Sequence, residues 1–146
     1  MTDEEIIADV PGARELFDWF GYWPSFHDAE VLSICLDRAA ASTLVVHTYG
    51  GTGEVDATGH HVTEKHVLVS FIFDDVFEIQ LEGFNHQNVL SAMAFNKLEN
   101  GFEVILGGCY GVEGSISTKG LRISFEPGQP SEGVYAKQTQ KAVPTA

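Results

Sequence analysis

From Glu30 onward, apolar and polar residues alternate with a period of two, the spacing that sends successive side chains to opposite faces of a β-strand. In "EVLSICLD" (residues 30–37), Glu30, Leu32, Ile34 and Leu36 fall on one face and Val31, Ser33 and Cys35 on the other. "TLVVHTY" (43–49) repeats the alternation after a small-residue turn at residues 39–42. "HVLVSFIF" and "VFEIQLEGF" flank Asp74 and Asp75, which predicts a hairpin. Its second strand is expected to turn Phe77, Ile79 and Leu81 inward and Glu78, Gln80 and Glu82 to water. "VLSAMAFNKLE" (89–99) fits helix or strand. Asn100 and Gly101, a two-residue hairpin signal, decide for strand, and "FEVILGGCYG" and "GLRISFEPG" continue the β pattern.

A helical period occurs near the N-terminus. In "DVPGARELFDWFG", Pro11 suits an early helix position and Gly21 a position just past the end, while Ala13, Leu16, Phe17 and Phe20 share one face. A helix is therefore expected at 11–20, with a short acidic turn before it anchored by Ile6 and Ile7. These elements predict a mostly β, α+β fold. It is either a curved antiparallel sheet or a two-layer β-sandwich of about seven or eight strands, with the N-terminal helix packed on it. Residues 1–127 read as one domain and residues 128–146 as a polar tail.

Composition narrows the partners. The 146 residues are 44% hydrophobic, enough to bury a core without disulfides or metals. The net charge of -13 repels phosphate backbones and anionic lipid, so neither nucleic acid nor membrane is expected, whereas a basic protein would be steered in. "MTDEEIIADV" lacks the basic and apolar regions of a leader, and no apolar run approaches the roughly 20 residues of a membrane span. The chain reads as cytoplasmic. Cys35 and Cys109 have no metal or redox spacing and are expected to be buried free thiols.

Candidate chemistry gathers at "GYWPSFHDAE" (21–30), where His27, Asp28 and Glu30 lie at a strand entrance. Imidazole and carboxylates there suit a metal or acid-base site, but no H-E-x-x-H or H-x-H spacing ties them to His47, His60, His61, His66 or His86. If the strand period runs on, Asp28 and Glu30 turn toward the apolar layer, where each needs a partner. Ser25 three residues before Asp28 suggests a capping-type turn that pins the corner. Asn85, His86, Gln87 and Asn88 offer donors and acceptors for a ligand, or simply a connection. The Gly-rich "GGTGEVDATGHH" (50–61) reads as a loop or an irregular hairpin tip, without the lysine and following helix of a phosphate site. From Glu54 to Glu82 carboxylates face only Lys65, a surface suited to a basic partner.

"FGYWPSFHDAEVLSICLDR" resembles the immunity protein 50 family and related uncharacterised bacterial domains, whose members carry a W-P-S-F-H-D-A-E run entering the first strand. "HVLVSFIF", "LEGFNHQNVL" and "CYGVEGSI" are similar in order and spacing, so that the likeness spans about residues 16–126. The resemblance implies a mostly β cytoplasmic protein, encoded beside a bacterial toxin, that binds and blocks that toxin. The matching positions are Trp23, Phe26, His27, Asp28 and Glu30, none with a catalytic role. The expected function is thus a non-enzymatic protein-binding domain that occludes a basic toxin, with no catalytic residue, metal or cofactor. Candidate binding residues are Trp23, His27, Asp28, Glu30, Asn85, His86, Asn88 and Tyr110. The alternative is a small-molecule or metal-binding domain, hydrolytic in one version, using His27, Asp28, Glu30 and His86. A homodimer formed through a sheet edge is a third reading.

Overall fold

The computed structural model describes residues 2–128 and 130 apart from 56 and 60, and leaves out the side chains of 51–55 and 61–64. The tail predicted at 128–146 lies almost wholly outside the described residues. Among the described residues, six antiparallel strands follow two short helices, α1 (Asp3–Ile6) and α2 (Ala13–Phe20). The strands are β1 (Glu30–Cys35), β2 (Ser42–Val55), β3 (His61–Glu82), β4 (Val89–Leu98), β5 (Gly101–Tyr110) and β6 (Glu113–Pro127). They form one strongly curved sheet, ordered β1-β2-β3-β6-β5-β4, whose two ends meet to close a barrel. The fold is mostly β, as the alternation predicts, and the sandwich alternative is replaced by this single closed sheet.

There are fewer strands than the turn signals suggest, because Asp74 and Asp75 do not reverse the chain. β3 runs through them for 22 residues, bent by Asp75 at φ 58° and by a bulge between Val76 and Glu78. Asp74 is held in the ladder by β6. Its carboxylate takes two bonds from the Arg122 guanidinium, at 2.9 and 3.0 Å, and its carbonyl accepts from the Thr118 hydroxyl at 2.6 Å. These ties to distant residues outweigh the local turn preference of two aspartates.

The core fills the barrel. Leu44 and Val46 of β2, Val67, Val69, Phe71 and Phe73 of β3, Leu90, Met93 and Phe95 of β4, and Ile116, Leu121 and Ile123 of β6 are buried. Helix α2 buries Ala13, Leu16 and Phe20 as its period requires. Its entrance is clamped to β6: the Ile123 amide donates to the Pro11 carbonyl at 2.8 Å, and Gly12 (φ 91°) lies so close that a Cβ would stand 1.7 Å from the Ile123 oxygen. At its other end the Lys65 ammonium donates to the carbonyls of Trp19 and Phe20, both at 3.1 Å, satisfying groups the helix leaves open.

β1 departs from strict alternation. A bulge between Val31 and Ser33 inserts one residue, so Val31 is buried, Ile34 packs on the core, and Leu36 is 51% exposed. Leu32, Ile34 and Leu36 therefore do not form one inward row with Glu30. A similar correction applies to β3 beyond its bend, where Phe77 and Ile79 are 44% and 39% exposed and only Leu81 reaches the core.

Candidate functional site

The corner at residues 23–30 is built on backbone geometry. Phe26 and Asp28 both have left-handed backbones, φ 62° and 64°, separated by His27. A bulky residue in that region costs on the order of 1 kcal/mol or more, and burial offsets it here. The Phe26 ring is buried edge-on to Trp23 and Phe71, with centroids at 5.8 and 5.6 Å. With the chain so folded, the Asp28 amide donates to the Leu90 carbonyl, the Leu90 amide to Ala29, and the Val31 amide to Asn88, at 2.8–2.9 Å.

The side chains of His27 and Asp28 consequently point to water. They are 67% and 57% exposed, with Nδ1 and Oδ1 3.7 Å apart. The expectation that Asp28 and Glu30 turn toward the apolar layer is overturned, because the corner and the β1 bulge change the phase of the alternation. The Ser25 hydroxyl accepts from the His27 amide at 3.2 Å, so the capping turn is one residue tighter than predicted. Trp23 stays with the core, its indole N–H buried and without a hydrogen-bond partner among the described residues. It also lines an apolar cleft of about 210 Å³ between the helices, with Ile7, Ala13 and Phe17.

Glu30 belongs to the outer wall. It stands opposite His47 on β2 and Val89 on β4, and Val89 stands opposite Tyr110 on β5. That cross-strand row joins the two clusters of candidate residues. The Asn85–Asn88 turn beside it is internally clasped. Asn88 Oδ1 accepts from the amides of Asn85 and Val112, both at 3.0 Å, and its Nδ2 donates to the Asn85 carbonyl at 2.8 Å. Asn85 in turn accepts from the Gln87 amide and donates to the Gly83 carbonyl. His86 and Tyr110 remain exposed at the rim, as does Phe84 (53% exposed), and the backbone at Gly83 lies close against the Gly111 carbonyl.

No spacing along the chain pairs His47 with His66; the β2–β3 register does. His47 Nε2 and His66 Nδ1 lie 3.0 Å apart, the rings are nearly parallel at 9°, and Tyr49 leans on both. Such a contact needs one ring nitrogen to donate and the other to accept. Burial holds the His47 imidazole below its ordinary 6.5, His66 lowers it further, and Glu30 opposes. Among the described residues no three His, Cys, Asp or Glu side chains converge to hold a metal. His27, Asp28, Glu30 and His86 therefore do not gather into the metal centre that one form of the alternative reading expects.

The Immunity protein 50 family model matches residues 12–126. The chain belongs to that family. No curated protein and no solved structure matches. The match covers the helix α2, the corner and the whole barrel, and membership in Immunity protein 50 suggests a toxin-immunity role with a toxin as binding partner. Among the described residues no helix is long and apolar enough to cross a membrane.

Proposed function

We propose that this Immunity protein 50 member acts without catalysis, by binding a basic toxin and occluding it. The family match over residues 12–126 is the observation that carries the reading. Its support for a basic partner is electrostatic: a net charge of -13, and an outer wall where Glu78, Glu82, Glu103 and Glu113 form no ion pair among the described residues. Such a field speeds encounter with a cation, while exposed aromatics supply affinity. Of the candidate residues, His27, Asp28, His86 and Tyr110 offer side chains to a partner. Trp23, Asn85 and Asn88 shape the surface that presents them.

The test is co-expression with the toxin domain encoded beside the gene. Cells making both are expected to grow and cells making the toxin alone to stop, and capture of the purified toxin is expected to weaken as salt rises. A neighbour that is not a toxin, or a toxin that the protein neither binds nor silences, refutes the reading.

A further inference from the structure

We propose that the open edge of β3 beyond its bend receives an extended, cationic segment of the partner protein as an added strand. β2 pairs with β3 only up to Ser42↔Phe73, whereas β6 accompanies it as far as Glu82↔Glu113. From Asp74 to Glu82, then, one side of β3 is hydrogen-bonded to β6 and no strand among the described residues covers the other. After the bulge the ladder is regular, with residues 78–82 each opposite one residue of β6. Such an edge presents backbone N–H and C=O groups to any chain that lies beside it.

The side chains at this edge are uncovered as well. Phe77, Glu78, Ile79 and Gln80 are exposed in succession, and only Val76 and Leu81 of this half-strand pack on the core. Ile79 and Leu81 share one face, and Glu78, Gln80 and Glu82 the other. Across the ladder the charged face continues: Glu78 neighbours Ser117, which neighbours Glu103, and Glu82 stands opposite Glu113.

That charge identifies the occupant. A second copy pairing antiparallel about Gln80 would set Glu78 of each copy against Glu82 of the other, and like charges directly opposite are destabilising. A guest strand with Lys or Arg on one face and apolar residues on the other would meet the carboxylates with the first and Ile79 and Leu81 with the second. Phe77 and Phe84 stand exposed at the two ends of the segment as anchors. The assignment rests on the toxin-binding reading and adds to it the surface and the mode of docking.

The experiment is amide hydrogen exchange on the full chain, free and saturated with the purified toxin domain encoded by the neighbouring gene. Alternate amides of residues 77–82 are expected to slow by about tenfold or more in the complex. The double variant Glu78→Lys, Glu82→Lys is expected to weaken capture by about tenfold or more while its thermal melt stays cooperative. Toxin bound with the protection lying elsewhere overturns the edge assignment and leaves the toxin-binding reading intact. Protection that rises with protein concentration alone puts a second copy on the edge and likewise overturns it. Failure of the wild-type chain to bind the toxin removes both.

Discussion

β4 and the far half of β3 are both strands that lack a full-length neighbour on one side, and the molecule treats them in opposite ways. Beside β4 the N-terminal segment stands in for a strand: Ala29 and Ser25 give carbonyls to the amides of Leu90 and Met93, and the Asp3 carboxylate accepts from the Phe95 amide at 3.0 Å. Trp23 and Phe26 then cover the side chains, with the Trp23 and Phe95 rings 5.8 Å apart. Beside residues 74–82 of β3 no segment plays that part among the described residues, and the protection is of another kind, a bulge and a row of carboxylates. Covering an edge excludes every partner; charging it excludes only some. The first is what a fold needs to stay monomeric, and the second is what a binding protein needs to stay available.

Substitutions that strip the covered edge should have the largest effects. Phe26→Ala empties a buried aromatic site and is expected to cost about 3–5 kcal/mol in denaturant unfolding. On the open edge, the ladder itself depends on Gly114, whose φ is 139° and where a Cβ would lie 1.7 Å from the Gln80 oxygen. Gly114→Ala is expected to cost about 2 kcal/mol or more and to raise exchange of the residue 78–82 amides before that of β2. A smaller loss, about 1 kcal/mol, is expected for Asp3→Ala, with Asp3→Asn recovering most of it, since the amide oxygen still accepts from Phe95. Asp28→Ala is expected to cost about 1 kcal/mol through its left-handed backbone and Asp28→Gly less, a contrast that a carboxylate-pinned corner would not give.

The smallest effect belongs to Asp74, at the joint between the paired and open halves of β3. The Arg122 hydrogen bond, helped by its charge, holds this carboxyl below its ordinary 3.8. Because the folded value lies below the unfolded one, the contribution is complete above about pH 4 and is lost as pH falls through the folded value. Asp74→Asn should therefore flatten the acid limb of a stability-against-pH curve by lowering its plateau above about pH 4 while leaving the acid end unchanged, and the drop should be small because the group is at the surface. An unaltered acid limb would show that the pair does not couple to folding.

What could be read along the chain was what depends on nearby residues. The helix and its buried face at Ala13, Leu16 and Phe20, the β4–β5 hairpin at Asn100, and the corner run at residues 23–30 all rest on local spacing. The bulges at Val31 and Val76 leave no comparable mark, since each is a misfit between two strands and not a property of one. The long β3 was hidden for the same reason: Asp74 and Asp75 look like a turn until Arg122 is placed beside them. The outward face of Glu30 and the His47–His66 contact leave no local trace, because both depend on pairing register. The open edge is a difference in strand lengths, visible only once β2 and β6 are laid on either side of β3.

The closure of the ring has a kinetic consequence. β1 and β4 share a single residue pair, Glu30↔Val89, reinforced by four backbone bonds between residues 25–31 and 88–93, whereas every other pair of neighbouring strands is joined by five or more residue pairs. Joining segments so distant in sequence costs loop entropy and returns few bonds, which favours closing the ring last. Phe26→Ala should then accelerate unfolding far more than it slows refolding, and a chevron with the larger change in its folding limb would place closure early instead.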